Sequence, residues 1–389
     1  MTRSAIHLAA LTVLASAASA QSLLSDETCA KLAAFLPQAH AARLDATIAA
    51  VKPEITYAFR FYAGYSVAIP VKQFTASPAS VAVLARVVPR DGSHSPVCFS
   101  QTESFEPRSS MAAARDLLME GGFFLGAGSY AMDVAVADPQ GRLYRKHIVL
   151  TAAARGSRRH IHFDLAPGVI QPIPRMSWTP HPHAASSLPR QLTVLFHAAS
   201  LYGSRTSLEI TDLAQLLGSL STVLSDSNFD QIRIVAFNID QQRELFRQDS
   251  LDVPGFQKMI ETLLPLRLWT VSAASLHPET PVLDALLRAE LSASQGPART
   301  VLLFGPPVYD DQLQVSTFSC DSSHPRFVYF QHRVDRALVN MLSPIPERPR
   351  ELSDKLERLV HSCNGEVYRI HNPADLAAAI DKFNGSVQN

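Results

Sequence analysis

"LTVLFHAAS", residues 192–200, is the stretch on which the reading of the fold turns. Five residues suited to a buried strand run straight into a small, nearly neutral loop. The next segment, "TDLAQLLGSLSTVL" (211–224), sets Leu213, Leu216, Leu217, Leu220 and Leu224 on one helical face. "QIRIVAFNI" (231–239) reads as a second strand, and "QQRELFR" (241–247) as an edge strand beside it. Helical and strand-like segments then alternate to the end. "FQKMIETLL" and "ETPVLDALLRAEL" read as helices, with Thr280 as cap and Pro281 at the first helical position of the latter. "TVLLFG", "RFVYFQH" and "GEVYRIH" read as strands; "ELSDKLERLVHSC" and "PADLAAAIDKF" read as helices. Such alternation predicts an α/β fold over 191–386: a doubly wound, mostly parallel sheet covered by helices on both faces.

Working outward, residues 166–190 hold six prolines and no periodicity, so they read as a stiff linker. Before it, residues 55–165 are rich in short β-prone runs, including "ITYAFRFYAGYSVAIPV", "SVAVLARVVP" and "PVCFSQTESF". "SYAMDVAVAD" and "RLYRKHIVL" flank Pro139-Gln140-Gly141, a natural hairpin loop. One helical insert is expected at "SSMAAARDLLMEGG" (109–122), and "GGFFLGAG" reads as turn geometry. The region as a whole predicts an immunoglobulin-like β-sandwich. Residues 21–54 read as a helical lead-in, with Ser25 as N-cap.

Residues 1–20 read as a signal peptide. Arg3 gives a positive start, Ile6 to Ala15 are too short to span a bilayer, and Ala18-Ser19-Ala20 suits cleavage. The expected product is exported, periplasmic or secreted, with no membrane span. It keeps 34 basic and 35 acidic side chains, which argues against nucleic acid as a partner. Export makes disulfides reasonable for Cys29, Cys98, Cys320 and Cys363. Four cysteines allow three pairings; Cys29–Cys98 with Cys320–Cys363 is the choice that stays within domains.

Residues 191–384 resemble the von Willebrand factor type A domain family. "LERLVHSCNGEVYRIHNPADLAAAIDKF" is similar to the closing helix, strand and helix of its bacterial members, and "IRIVAFN" and "ETPVLDALL" fall in the family's order. The resemblance implies a divalent-cation site built from D-x-S-x-S, a loop Thr and a later Asp. Here D-x-S-x-S falls on His197-Ala198-Ala199-Ser200-Leu201. A register shifted by one recovers Ser200 but puts Ala198 and Tyr202 at the other two places. Thr280 matches the loop Thr, and the later Asp falls on Gly305. Asp310 and Asp311 lie just beyond. Hard cations need charged oxygen ligands, so the implied site is degenerate and neither metal nor cofactor is expected.

Three readings of function remain, the third of them a mainly structural envelope component in which the sandwich does the binding and the C-terminal domain is a passive platform. The first is a non-enzymatic protein-interaction protein of adhesion or scaffold type. Its partner would be a protein meeting His197, Ser200, Tyr202, Thr280, Gly305, Tyr309 and Asp310, with Pro306 and Pro307 as rigid apolar contacts. The alternative is a hydrolase or metal-dependent enzyme using His160/His162 or His197/Ser200.

Overall fold

The computed structural model describes residues 21–35, 43–75, 78–107, 116–154, 161–173, 178, 180, 190–201, 208, 210–266, 280–292, 299–309, 320, 325–333 and 354–385. The chain divides into two compact units, Met1–Pro174 and Arg175–Asn389. The segments read as signal peptide and as the 181–189 part of the linker lie outside the described residues.

The first unit starts with a two-residue strand β1 (Ser22–Leu23) and helix α1 (Asp26–Phe35). Ser25 caps this helix: its Oγ accepts from the Thr28 backbone N–H at 3.3 Å. The expected helical lead-in stops there, because residues further on form β2 (Thr47–Ile55). Seven strands follow: β3 (Phe61–Pro70), β4 (Ala79–Pro89), β5 (Val97–Phe105), β6 (Asp116–Leu125), β7 (Gly128–Ala137), β8 (Leu143–Ala152) and the short β9 (Ile170–Pro172). They make two sheets, β1-β5-β4-β7-β8 and β2-β3-β6-β9, with every pairing antiparallel. Inward residues of both sheets, among them Phe61, Tyr65, Val83, Phe99, Phe123 and Met132, share one buried core. Cys29–Cys98 ties α1 to β5.

Two readings need correction here. The helix expected at 109–122 gives way to β6 from Asp116 onward. Leu117, Met119, Phe123 and Leu125 recur on alternate positions and face the core, so period two wins over local helix propensity. Gly121 and Gly122 are mid-strand and do not form a turn. The reason is close approach: a Cβ on Gly122 would stand 2.6 Å from the Tyr62 ring, and one on Gly121 2.2 Å from the Tyr65 ring.

The second unit carries six strands and five helices among its described residues. In chain order they are β10 (Gln191–His197), α2 (Ile210–Asp226), β11 (Gln231–Asn238), β12 (Arg243–Gln248) and α3 (Val253–Leu263). Then come α4 (Val282–Ser292), β13 (Arg299–Gly305), β14 (Arg326–His332), α5 (Lys355–Ser362), β15 (Glu366–Ile370) and α6 (Pro373–Gly385). The sheet order is β12-β11-β10-β13-β14-β15. β10 runs parallel to β11 and β13, β13 to β14, and β14 to β15. β12 turns back antiparallel to β11, with an irregularity between Ala236 and Phe237. Leu283, Leu286 and Leu287 of α4 and Leu356, Leu359 and Val360 of α5 pack on Leu195, Val301, Leu303 and Tyr329. Cys320–Cys363 joins the β13–β14 connection to the end of α5.

The expected fold class is therefore overturned. Among the described residues strand outweighs helix, 44% against 25%, most sheet structure is antiparallel, and the C-terminal sheet is mixed instead of being the doubly wound parallel sheet of the type A family. The physical cause within that sheet is the β11–β12 connection. Only a tight turn, with Gln242 at φ 49°, separates these strands, and a turn that short reverses the chain where a parallel return needs a long crossover.

Candidate functional site

The neutral loop after β10 begins at the carboxyl end of a central strand. The chain here is sealed: His197 is 3% exposed and Ser200 9%. The His197 imidazole stacks on Phe237, with ring centres 5.4 Å apart. Burial lowers its pKa to about 4, the Pro306 backbone pulling weakly the other way, so the ring is neutral at ordinary pH. Neither of its nitrogens meets a hydrogen-bond partner among the described residues. Two strands over, His332 ends β14 in a similar setting. It packs against Phe304 at 5.3 Å, and burial takes its pKa to about 3.

Between them, β13 ends at Gly305 with φ +152°, a conformation L side chains rarely adopt. The loop beyond is held firmly. Tyr329 donates its hydroxyl to the Pro306 carbonyl at 3.1 Å. Asp354, the N-cap of α5, accepts from the Val308 N–H at 2.8 Å and the Leu356 N–H at 3.0 Å, and also from the Gln331 amide. Burial raises the Asp354 pKa, and these donors oppose it. Glu357, next on α5, is pushed up by burial but held below the usual carboxylate range by Arg369, Gln331 and Arg333.

Sequence reasoning found no acid for Ser200. The structure supplies one: Ser200 Oγ donates to Asp212 Oδ2 at 3.3 Å, and Asp212 is fully buried in the first turn of α2. Nothing in the sequence singled it out, since an acidic residue in a first helical turn is ordinary. The serine is thus engaged by a carboxylate instead of by His197.

Thr280 does not cap α4. It is exposed, and the Val282 N–H is met instead by Gln242 Oε1 at 3.0 Å. Tyr309 is half-buried. Tyr202, Asp310, Asp311, His160 and the histidines at 181 and 183 lie outside the described residues, while His162 is exposed. No group of three or more His, Cys, Asp or Glu side chains placed to hold a metal occurs among the described residues. No helix among them is long and apolar enough to cross a membrane.

The chain matches no family model and no curated protein. Among solved structures it is similar to a Northeast Structural Genomics Consortium target at 12% identity and TM-score 0.20, over 31% of this chain and 98% of that one. A Bordetella pertussis protein carrying the name ApaA is similar at 12% identity and TM-score 0.19, over 29% and 97% of the two chains. At these values neither likeness bears on function.

Proposed function

We propose that this is an exported, non-enzymatic protein-interaction protein whose C-terminal unit recognises a protein partner through shape and neutral contacts. One observation carries the reading: Ser200 gives its hydroxyl to Asp212 while the His197 ring lies neutral against Phe237. A nucleophilic serine needs a base within hydrogen-bond reach, and the nearby imidazole is turned to packing. The adjoining loop suits recognition. Pro307 and Tyr309 are half-buried on a backbone pinned by Tyr329 and Asp354, so little ordering entropy is lost on contact. Two disulfides and the leader-like first 20 residues favour export.

The test has two arms. Fluorophosphonate labelling of the purified protein and calorimetric titration with Mg²⁺, Mn²⁺ and Ca²⁺ should both give nothing. Cross-linking in the native envelope should recover one recurrent partner, lost on Tyr309→Ala. Stoichiometric labelling of Ser200, or micromolar cation binding abolished by Asp212→Asn, would reverse the reading in favour of an enzyme or a metal-dependent binder.

A further inference from the structure

In the first unit, β6 pairs with β3 along its whole length, Pro70↔Asp116 to Phe61↔Leu125. On its other side β9 covers only Phe123, Phe124 and Leu125. The remaining stretch, Asp116 to Gly121, has no strand beside it among the described residues. Backbone groups in an antiparallel strand point to opposite sides on alternate residues. Gly122 shows which parity faces outward: its N–H donates to Gln21 Oε1 at 2.8 Å, and its carbonyl accepts from Gln21 Nε2 at 3.1 Å. Leu118 and Glu120 share that parity, so their N–H and C=O groups form a ladder that no strand among the described residues covers.

The Gln21 amide shows what this edge accepts. It offers one acceptor and one donor to a single residue, the exchange that one peptide unit of an added strand makes. Next to it the side chains are open. Leu118 is 68% exposed, the most exposed large apolar residue among those described. Asp116 and Glu120, also exposed, flank it two residues away on either side, on the same face. Neither carboxylate has a basic partner among the described residues.

We propose that the outer edge of β6 is a docking site for an extended segment of a partner protein, in which three successive residues of one face, each two apart in sequence, run basic, apolar, basic. The added strand takes the ladder groups of Leu118 and Glu120. An apolar side chain covers Leu118, and lysine or arginine on either side meets Asp116 and Glu120. Charge complementarity sets the occupant: an acidic or purely apolar strand would leave both carboxylates unanswered. This surface belongs to the other unit and does not depend on the loops after β10 and β13.

The probe is a fluorescein-labelled heptapeptide with lysine at its second and sixth positions, valine at its fourth and threonine at the rest, titrated into the full exported chain and followed by anisotropy. Saturable binding is expected, weakened at least tenfold by Glu120→Lys and abolished by Leu118→Pro. Proline fits there because the Leu118 N–H points away from β3, and edge positions tolerate it; an unchanged melting temperature verifies the fold. Bound peptide should also slow amide exchange at Leu118 and Glu120. Equal binding by Leu118→Pro, equal binding of a glutamate-for-lysine peptide, or no binding at millimolar peptide overturns the proposal. So does self-association of the unliganded chain that Leu118→Pro abolishes, since the occupant would then be a second copy.

Discussion

A Cβ atom placed on Gly305 would stand 2.7 Å from the His197 carbonyl oxygen and 2.8 Å from the His197 Cβ. The two strand ends therefore fit only because one residue has no side chain. With φ at +152°, any other residue there is strained twice over. Gly305→Ala should lose about 2–3 kcal/mol, read as a lower urea midpoint at unchanged slope. Gly305→Asp should fare worse. If either variant is as stable as the parent, the close fit of β10 against β13 is wrong.

Acid should weaken the second unit. His197 and His332 have native pKa values near 4 and 3 against an ordinary 6.5. Below pH 6.5 the unfolded chain takes up protons that the native state refuses, so stability is full above pH 6.5. It falls as pH drops toward 4 and 3 and levels off below that. At about 1.4 kcal/mol per pH unit per group, the loss is on the order of several kcal/mol. His197→Phe should remove roughly half of the slope between pH 6.5 and 4. Urea midpoints measured at pH 7, 5.5 and 4.5 decide it, and an unchanged slope would show that the His197 ring titrates normally.

The disulfides close spans of 69 and 43 residues. Loop-closure entropy puts each at about 4 kcal/mol. Cys29→Ala with Cys98→Ala should lower the transition of the first unit only, and Cys320→Ala with Cys363→Ala that of the second. Scanning calorimetry separates the two; a single shared shift would argue against independent melting.

Asp354 serves two elements at once, capping α5 and holding the Val308 N–H. Asp354→Ala strands buried donors on both and should lose about 2–4 kcal/mol. Asp354→Asn keeps one acceptor and should lose less. Equal loss in both variants would mean that the charge, not the geometry, is what matters.

Part of this architecture was legible in advance. Pro139-Gln140-Gly141 between alternating runs announced the β7–β8 hairpin, and "QQRELFR" announced the edge strand β12, because turn chemistry and period two are local properties. The helix-prone run read across 109–122, whose first seven residues lie outside the described ones, misled from Asp116 onward for the same reason. Its helix propensity is local, whereas the inward alternation of Leu117, Met119, Phe123 and Leu125 has meaning only once the facing sheet is in place. At the candidate site, His197, Ser200 and Gly305 could be named from their position at strand ends. Asp212 could not, since only folding carries α2 back to the loop after β10. Thr280 looked like a cap because Thr-Pro usually is one; Gln242, 40 residues before Val282 in sequence, took the role.

By itself, then, the sequence determined where strands and helices recur, which faces turn inward, and how nearly balanced the charge is. Those depend on neighbours within a few residues. Tertiary structure alone decided strand direction, the balance of antiparallel over parallel pairing, and which carboxylate reaches Ser200. Each of these is a contact between distant segments, and its energy appears only after the chain has closed the loop between them.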